Sequence, residues 1–282
     1  MTSEASRIEF HKMHGAGNDF VLLDFRKQGM AVDAALASRL ADRRLGVGCD
    51  QVLVLRPAEH ADHTARYEIL NADGSFAGQC GNGARCIALF LELNSDSPSG
   101  PLALESPSGI VHVERCEDGE YEVALGTPGF EPDQVPIDGT PDNGRYRLDT
   151  PWGEVSFTAA SMGNPHALIE VKDVGRAPLD TIGRHLSRHA VFPQGCNVEF
   201  AEIADRGTLR LRVYERGVGE TLACGSGACA AVAMLHREGR VDAAVDVFLP
   251  GGHLVIKWPG PGLPVRMKGP AAYVFRGRMK HE

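Results

Sequence analysis

Short apolar runs recur along the chain in a fixed order, and the order is written twice. In the first half "FVLLD" (20–24), "QVLVL" (51–55) and "ARYEIL" (65–70) are rich in branched residues and predict strands. Between them "VDAALASRLA" (32–41) carries apolar residues at helical spacing behind an early Asp suited to a first turn. "GARCIALFLEL" (83–93) predicts a second helix, and "SPSGIVHV" a later strand. The second half answers with "HALIEV" (166–171), "LDTIGRHLSR" (179–188), "NVEFAEI" (197–203), "TLRLRVY" (208–214), "GACAAVAMLH" (227–236) and "LPGGHLVI". Each half therefore predicts strand, helix, strands, helix, strands.

Polar residues fall into the same register. Asn18 precedes Cys80 by 62 positions and Asn164 precedes Cys224 by 60; Gln51 and Asn197 precede the same two cysteines by 29 and 27. Asn71 and Glu215 each stand nine positions before their cysteine. Such self-similarity points to an internal duplication. The expected fold is α/β (α+β): two pseudo-symmetric lobes with the paired polar residues converging on a cleft between them. The segment "GTPGFEPDQVPIDGTPDNGR" (126–145), dense in Pro, Gly and Asp, is the expected connector. It sets lobes of 1–124, to which 270–282 returns, and 125–269.

Composition narrows the function. With 43% apolar and 23% charged residues the 282-residue chain is that of a globular protein. The opening "MTSEASRIEF" has no apolar segment for a signal peptide, and no run approaches a membrane span. A net charge of −8 opposes a nucleic-acid surface, which needs clustered Lys and Arg. These features predict a soluble cytoplasmic protein without nucleic-acid or membrane partners. Seven cysteines are odd in number and too few for a disulfide framework. Cys49, Cys116 and Cys196 lack glycine-rich turns and are expected to be small buried hydrophobes.

The two helices of similar composition each begin at a distinctive turn, "CGNGARC" (80–86) and "CGSGAC" (224–229). Zinc knuckles favour closer cysteine pairs, and Cys86 and Cys229 sit among apolar helix residues, so no metal is expected. Cys80 and Cys224 stand directly before a helix, where unsatisfied N–H groups and the dipole favour a thiolate. Gly81, Gly83, Gly225 and Gly227 let the backbone approach a ligand, and their N–H groups would form a nest for a carboxylate or a phosphate. A carboxylate held between two such turns suits one chemistry. One thiolate removes the proton from the adjacent carbon, and the other thiol returns one to the opposite face. Other readings of these residues are plainer: a redox switch or a phosphate module for the cysteine turns, a packed histidine for His166, a strand-end ion pair for Glu215 and Arg216, a turn for Asn71.

Taken together "MHGAGNDF" (13–20), "NADGS" (71–75), "CGNGARC", "SMGNPHA" (161–167), "VYERGVGETLACGSGACAA" (213–231) and "GPAAYVF" (269–275) resemble the diaminopimelate epimerase family, in order and over nearly the whole chain. The resemblance implies lobes that are each a mixed, barrel-like sheet around a central helix, and an isomerase that converts LL-2,6-diaminopimelate to the meso form without a cofactor, in lysine and cell-wall precursor synthesis. It implies that Cys80 takes the proton from the L centre and Cys224 from the D centre, assisted by His166 and Glu215 respectively. Its substrate contacts fall on Asn18, Gln51, Asn71, Gly81, Asn82, Asn164, Asn197, Glu215, Arg216, Gly225 and Ser226, largely the pairs found by internal alignment. It also implies a homodimer built partly through the last strand. Phe76–Gln79 and Cys49 depart from the family's usual residues. A proline or hydroxyproline racemase of the same fold is the nearest alternative, but Arg216 suits a substrate with a second carboxylate.

Overall fold

The computed structural model describes residues 7–27, 29–96 and 100–280. The opening Met1–Ser6, part of the stretch that lacks a signal-like segment, lies outside them. Two compact units emerge: one runs to Val123 and regains the chain from Gly269, the other is Ala124–Lys268.

The first unit begins with β1 (Arg7–Gly15), β2 (Asn18–Asp24), α1 (Ala34–Ala41), β3 (Gln51–Arg56) and β4 (Ala65–Asn71). It continues with α2 (Gly81–Leu93), β5 (Leu102–Ser106), β6 (Gly109–Arg115) and β7 (Tyr121–Ala124), and is completed by the last strand, Ala272–Lys280. From the last strand through β1, β2, β3, β4, β5 and β6 to β7, the pairings are antiparallel, antiparallel, parallel, antiparallel, parallel, antiparallel, antiparallel. Helix α2 touches the last strand, β1 and β2 as well as β6. A helix that meets the strand at one end of a sheet and the next-to-last strand at the other requires that sheet to curl around it. The sequence suits this place, for α2 is buried over Gly81–Ala88 and again at Phe90 and Leu91, with no polar face to give to water. Truncating Ile87 to Ala would cost roughly 2–5 kcal/mol. Helix α1 is an ordinary amphipathic helix outside, capped by Asp33, whose side chain accepts from Leu36 N at 2.8 Å. Its Leu36, Ala37, Leu40 and Ala41 pack on a core with Val52, Val54 and Leu70.

The second unit contains β8 (Tyr146–Thr150), β9 (Gly153–Ser161), β10 (Pro165–Glu170), α3 (Arg184–Ser187), β11 (Asn197–Asp205), β12 (Thr208–Glu215) and β13 (Gly219–Thr221). Then come α4 (Gly225–Arg237), β14 (Ala244–Leu249), β15 (Gly252–Lys257) and β16 (Arg266–Gly269). From β8 through β9, β10, β11, β12, β14 and β15 to β16, the strand senses repeat those of the first unit one for one. Helix α4 meets β9, β10, β11 and β15, and is buried over nearly all of Gly225–Leu235. Both units are thus mixed sheets around a central helix, two copies of one plan.

Two departures from the sequence pattern have their causes in tertiary packing. The stretch expected as one helix at 179–188 is a π turn, Leu179–Gly183, followed by the single α turn of α3. Gly183 lies so close to Tyr214 and Phe200 that a Cβ there would sit 3.1 and 3.2 Å from their side chains. The segment 126–145 is no bare linker, because Val135 and Ile137 are buried in the core of the second unit with Tyr146 and Phe157. Cys49 and Cys196 are buried, but Cys116 is only partly so: it sits in the turn after β6, where its N–H meets Glu120 O.

Candidate active site: two cysteine-capped helices

In the first unit Cys80 is the N-cap of α2. Its extended backbone (φ −145°, ψ 105°) turns the side chain back over the first helical turn, and Sγ accepts from Gly83 N at 3.4 Å. Sγ also lies 3.7 Å from Asn18 Oδ1. That amide is held from behind: Asn18 Nδ2 donates to Asp50 Oδ2 at 2.9 Å, so its carbonyl end faces the sulfur and accepts from Asn82 Nδ2 at 3.2 Å. Asn82 is in turn held by Arg85, wholly buried, whose Nη2 donates to Asn82 Oδ1 at 2.8 Å and whose Nε donates to Pro270 O. Beside them Asp19 is bridged by Arg43 and Lys12. Burial raises the Asp19 carboxyl, but these hydrogen bonds outweigh it and leave it at about 2. Gln51 and Asn71 are opposite one another on β3 and β4, joined by Gln51 Nε2 to Asn71 Oδ1 at 2.9 Å. Asn18, Gln51, Asn71, Cys80 and Asn82 are thus linked or neighbouring at one end of the sheet, by the start of α2. Phe76, one of the family departures, is exposed on the loop that leads to Cys80.

In the second unit Cys224 caps α4 with the same backbone shape (φ −116°, ψ 106°). Its Sγ lies 3.5 Å from Ser226 Oγ. The expectation of a lowered thiol pKa fails here. Burial drives the Cys224 thiol well up, and the carboxylates of Glu215 and Glu199 push the same way, against the weaker help of Ser226 and the Gly227 N–H. Asn197 Oδ1 accepts from Arg216 N at 2.9 Å, the counterpart of the Gln51–Asn71 bond. Glu215 accepts from Thr221. Arg216 is exposed, laid over Gly195, and its Nη1 donates to Gln194 O at 2.6 Å.

His166 is fully buried on β10, in register with Asn197 on β11. Its Nε2 is 3.0 Å from Asn164 Oδ1, and its Nδ1 is 2.7 Å from Glu199 Oε1. Glu199, two residues beyond Asn197, is also fully buried, and burial raises its carboxyl against the pull of His166. Sequence reasoning missed Glu199, Arg85, and Asp19 and Asp50, each of which accepts from the other's backbone N–H at 3.0 Å. For Glu199 the signal was present, since a charged residue stands in a strand whose sister strand has Leu53 at that place.

An α-helix leaves its first N–H groups without intrahelical acceptors. Each unit offers that donor set, a cysteine across it, and amide side chains beside it. Such an arrangement can receive an anion beside a group able to carry a proton.

A central helix in a curled mixed sheet, present twice, is a fold this chain shares with solved proteins of several functions. A hydroxyproline epimerase from Agrobacterium vitis superposes with a TM-score of 0.73 at 18% identity, over 99% of this chain and 93% of its own. A probable proline racemase from Agrobacterium radiobacter K84 gives 0.72 at 18% identity, over 96% and 92%. The chain belongs to the diaminopimelate epimerase family, whose model matches residues 10–131 and 158–274. A diaminopimelate epimerase of Xanthomonas campestris pv. campestris is 50% identical over 272 residues, 96% of either chain.

Proposed function

We propose that this chain inverts one α carbon of 2,6-diaminopimelate, interconverting the LL and meso forms by two-base proton transfer without a cofactor. The observation that carries this reading is the 50% identity over 96% of both chains to a protein of that name. The local geometry agrees with it, since each unit has a thiol at the start of a buried helix.

For the L centre Cys80 is the base and Cys224 the acid. The Cys80 thiolate takes the Cα proton, and the C–H electron pair moves into the carboxylate as an enediolate. The N–H groups of Gly81, Asn82, Gly225 and Ser226 stabilise that developing charge. The pair then returns to carbon as Cα takes the Cys224 S–H proton on its opposite face. One proton has left and one has arrived, and the two sulfurs have exchanged protonation states. For the D centre the roles reverse. The raised thiol of Cys224 suits the donor role. His166 assists Cys80 and Glu215 assists Cys224. Asn18, Gln51, Asn71, Asn164 and Asn197 hold ammonium and carboxylate groups, and Arg216 grips the distant carboxylate in a planar fork.

The two lobes of this reading are residues 1–124 with 270–282, and 125–269. The protein acts in the cytoplasm as a homodimer, for which the exposed Val274 and Phe275 of the last strand supply apolar contact. The test is exchange. In deuterated buffer, LL-diaminopimelate should gain deuterium at its α carbons as meso product forms, while proline gains none. Deuterium in proline alone would move the chain to the racemases of its fold.

A further inference from the structure

At the positions equivalent to His166 and Glu199 the first unit carries different residues. The register of β2 on β3 sets Phe20 against Gln51 and Leu22 against Leu53; that of β10 on β11 sets His166 against Asn197 and Leu168 against Glu199. So Phe20 and Leu53 occupy the places of His166 and Glu199. The helix starts agree. A methyl on Gly83 would meet Leu53 Cδ2 at 3.0 Å and Phe20 Cε1 at 3.5 Å, whereas a methyl on Gly227 would meet Glu199 Oε1 at 2.8 Å and Cys224 Sγ at 3.3 Å. The room behind one cysteine turn is hydrocarbon; behind the other it holds an imidazole and a carboxyl.

Such a pair in a fully buried place is costly unless its geometry is used. Nε2 of His166 faces the carbonyl oxygen of Asn164 and therefore carries a proton. Nδ1 faces Glu199 Oε1 at 2.7 Å, so one further proton lies between those two atoms, on the ring or on the carboxyl. The other oxygen, Glu199 Oε2, is buried without a hydrogen-bond partner among the described residues. Apart from His166, the titratable groups whose charge is felt at or through Glu199 are Cys224, ahead of α4, and Cys196, ahead of β11.

We propose that Glu199 is a positioning residue: it fixes the ring of His166 through Nδ1, so that the protonated Nε2 is always presented toward Asn164. In this it acts as the buried Asp does behind the catalytic histidine of serine proteases, by orienting and choosing the tautomer. It holds a ring that the epimerase reading places in the reaction, and it is that reading which gives the kinetic test its assay.

The experiment uses the full chain labelled with [15N]histidine, without substrate. His166 should show a far-downfield, slowly exchanging ring proton at Nδ1, identified by its loss in His166→Gln. Glu199→Gln should remove that signal, because an amide can face either nitrogen. It should lower kcat for diaminopimelate at least about tenfold with KM nearly unchanged, as loss of a ring-orienting partner does at other sites. Glu199→Asp should recover part of both. A wild-type spectrum without the proton overturns the proposal, and so does a Glu199→Gln enzyme with undiminished kcat. If wild-type protein exchanges no diaminopimelate proton, the epimerase reading falls, while the ring signal still decides the role of Glu199.

Discussion

The first and second units share strand order, strand senses and a cysteine-capped central helix, yet differ in the charge placed around that cap. Near Cys80 the buried ionic group is a cation, Arg85, tied to Asn82. Near Cys224 it is Glu199, tied to His166. Duplication supplies two like sites, and a reaction that inverts a centre needs two like groups in unlike protonation states at any moment. A buried cation behind one turn, and an imidazole and a carboxyl that share their protons behind the other, make the sites unlike while the backbone stays the same.

Removing either sulfur should have the largest effect. Cys80→Ala and Cys224→Ala should each abolish epimerisation, a loss beyond the 10²–10⁴-fold typical of one general acid or base, since a one-sided site cannot complete inversion. The measurement is meso-product formation by chiral chromatography. Substantial turnover by either variant would end the two-base reading and make the comparison of the two turns irrelevant to catalysis.

Copying the first unit into the second comes next. His166→Phe alone leaves Glu199 buried without its partner and should destabilise by roughly 3–5 kcal/mol in denaturant unfolding. The double variant His166→Phe with Glu199→Leu reproduces the Phe20 and Leu53 pair, and most of that stability should return. Activity should not return with it. A double variant as unstable as the single one would show that the two rooms differ in shape as well as in charge.

The glycines at the helix starts sharpen the same contrast. Gly83→Ala presses on Leu53 Cδ2, the end of a side chain that can shift, and the helix propensity of Ala offsets up to about 1 kcal/mol. Gly227→Ala presses on a carboxyl already bonded to His166 and on the Cys224 sulfur. Activity should therefore fall several-fold more in Gly227→Ala than in Gly83→Ala. Equal losses would mean that the carboxyl yields as easily as the leucine.

Much of this contrast could be seen in the sequence. The duplication, the two caps, and strands such as "QVLVL" and "NVEFAEI" follow from apolar periodicity and from glycine, whose effects are local. The family was legible because its motifs are short and rigid around those turns. Charge partners were harder to see, because they join residues far apart in sequence: Asn18 with Asp50, Arg85 with Pro270, His166 with Glu199. Nothing local in "GARC" says that Arg85 is buried, since Arg usually surfaces. The raised thiol of Cys224 was misjudged for a related reason. The helix start favours a thiolate, but burial depends on what the rest of the unit places over it. The π turn before α3 was missed because its cause, the approach of Tyr214 and Phe200 to Gly183, is tertiary.

The smallest expected effect concerns acid, and here too the units oppose each other. Asp19, beside the Cys80 turn, is drawn down from 3.8 to about 2: burial opposes its charge, but the bonds from Arg43 and Lys12 prevail. A depressed carboxyl contributes stability that is full above its unfolded pKa and is lost as pH falls through its folded one. Between pH 3.8 and about 2 the unfolded chain binds a proton that the folded chain does not, so unfolding becomes easier as acid is added. Glu199 is shifted the other way, by burial, and adds nothing to that loss. Asp19→Asn should therefore flatten the dependence of unfolding free energy on pH in this window by up to one proton, while Glu199→Gln leaves the slope there unchanged. Because Asp19 is partly solvated, screening reduces the effect, and urea titrations at several pH values are needed to resolve it. An unaltered slope in Asp19→Asn would show that its ion pairs with Lys12 and Arg43 do not persist in solution, and the support of Asn18 would then rest on Asp50 alone.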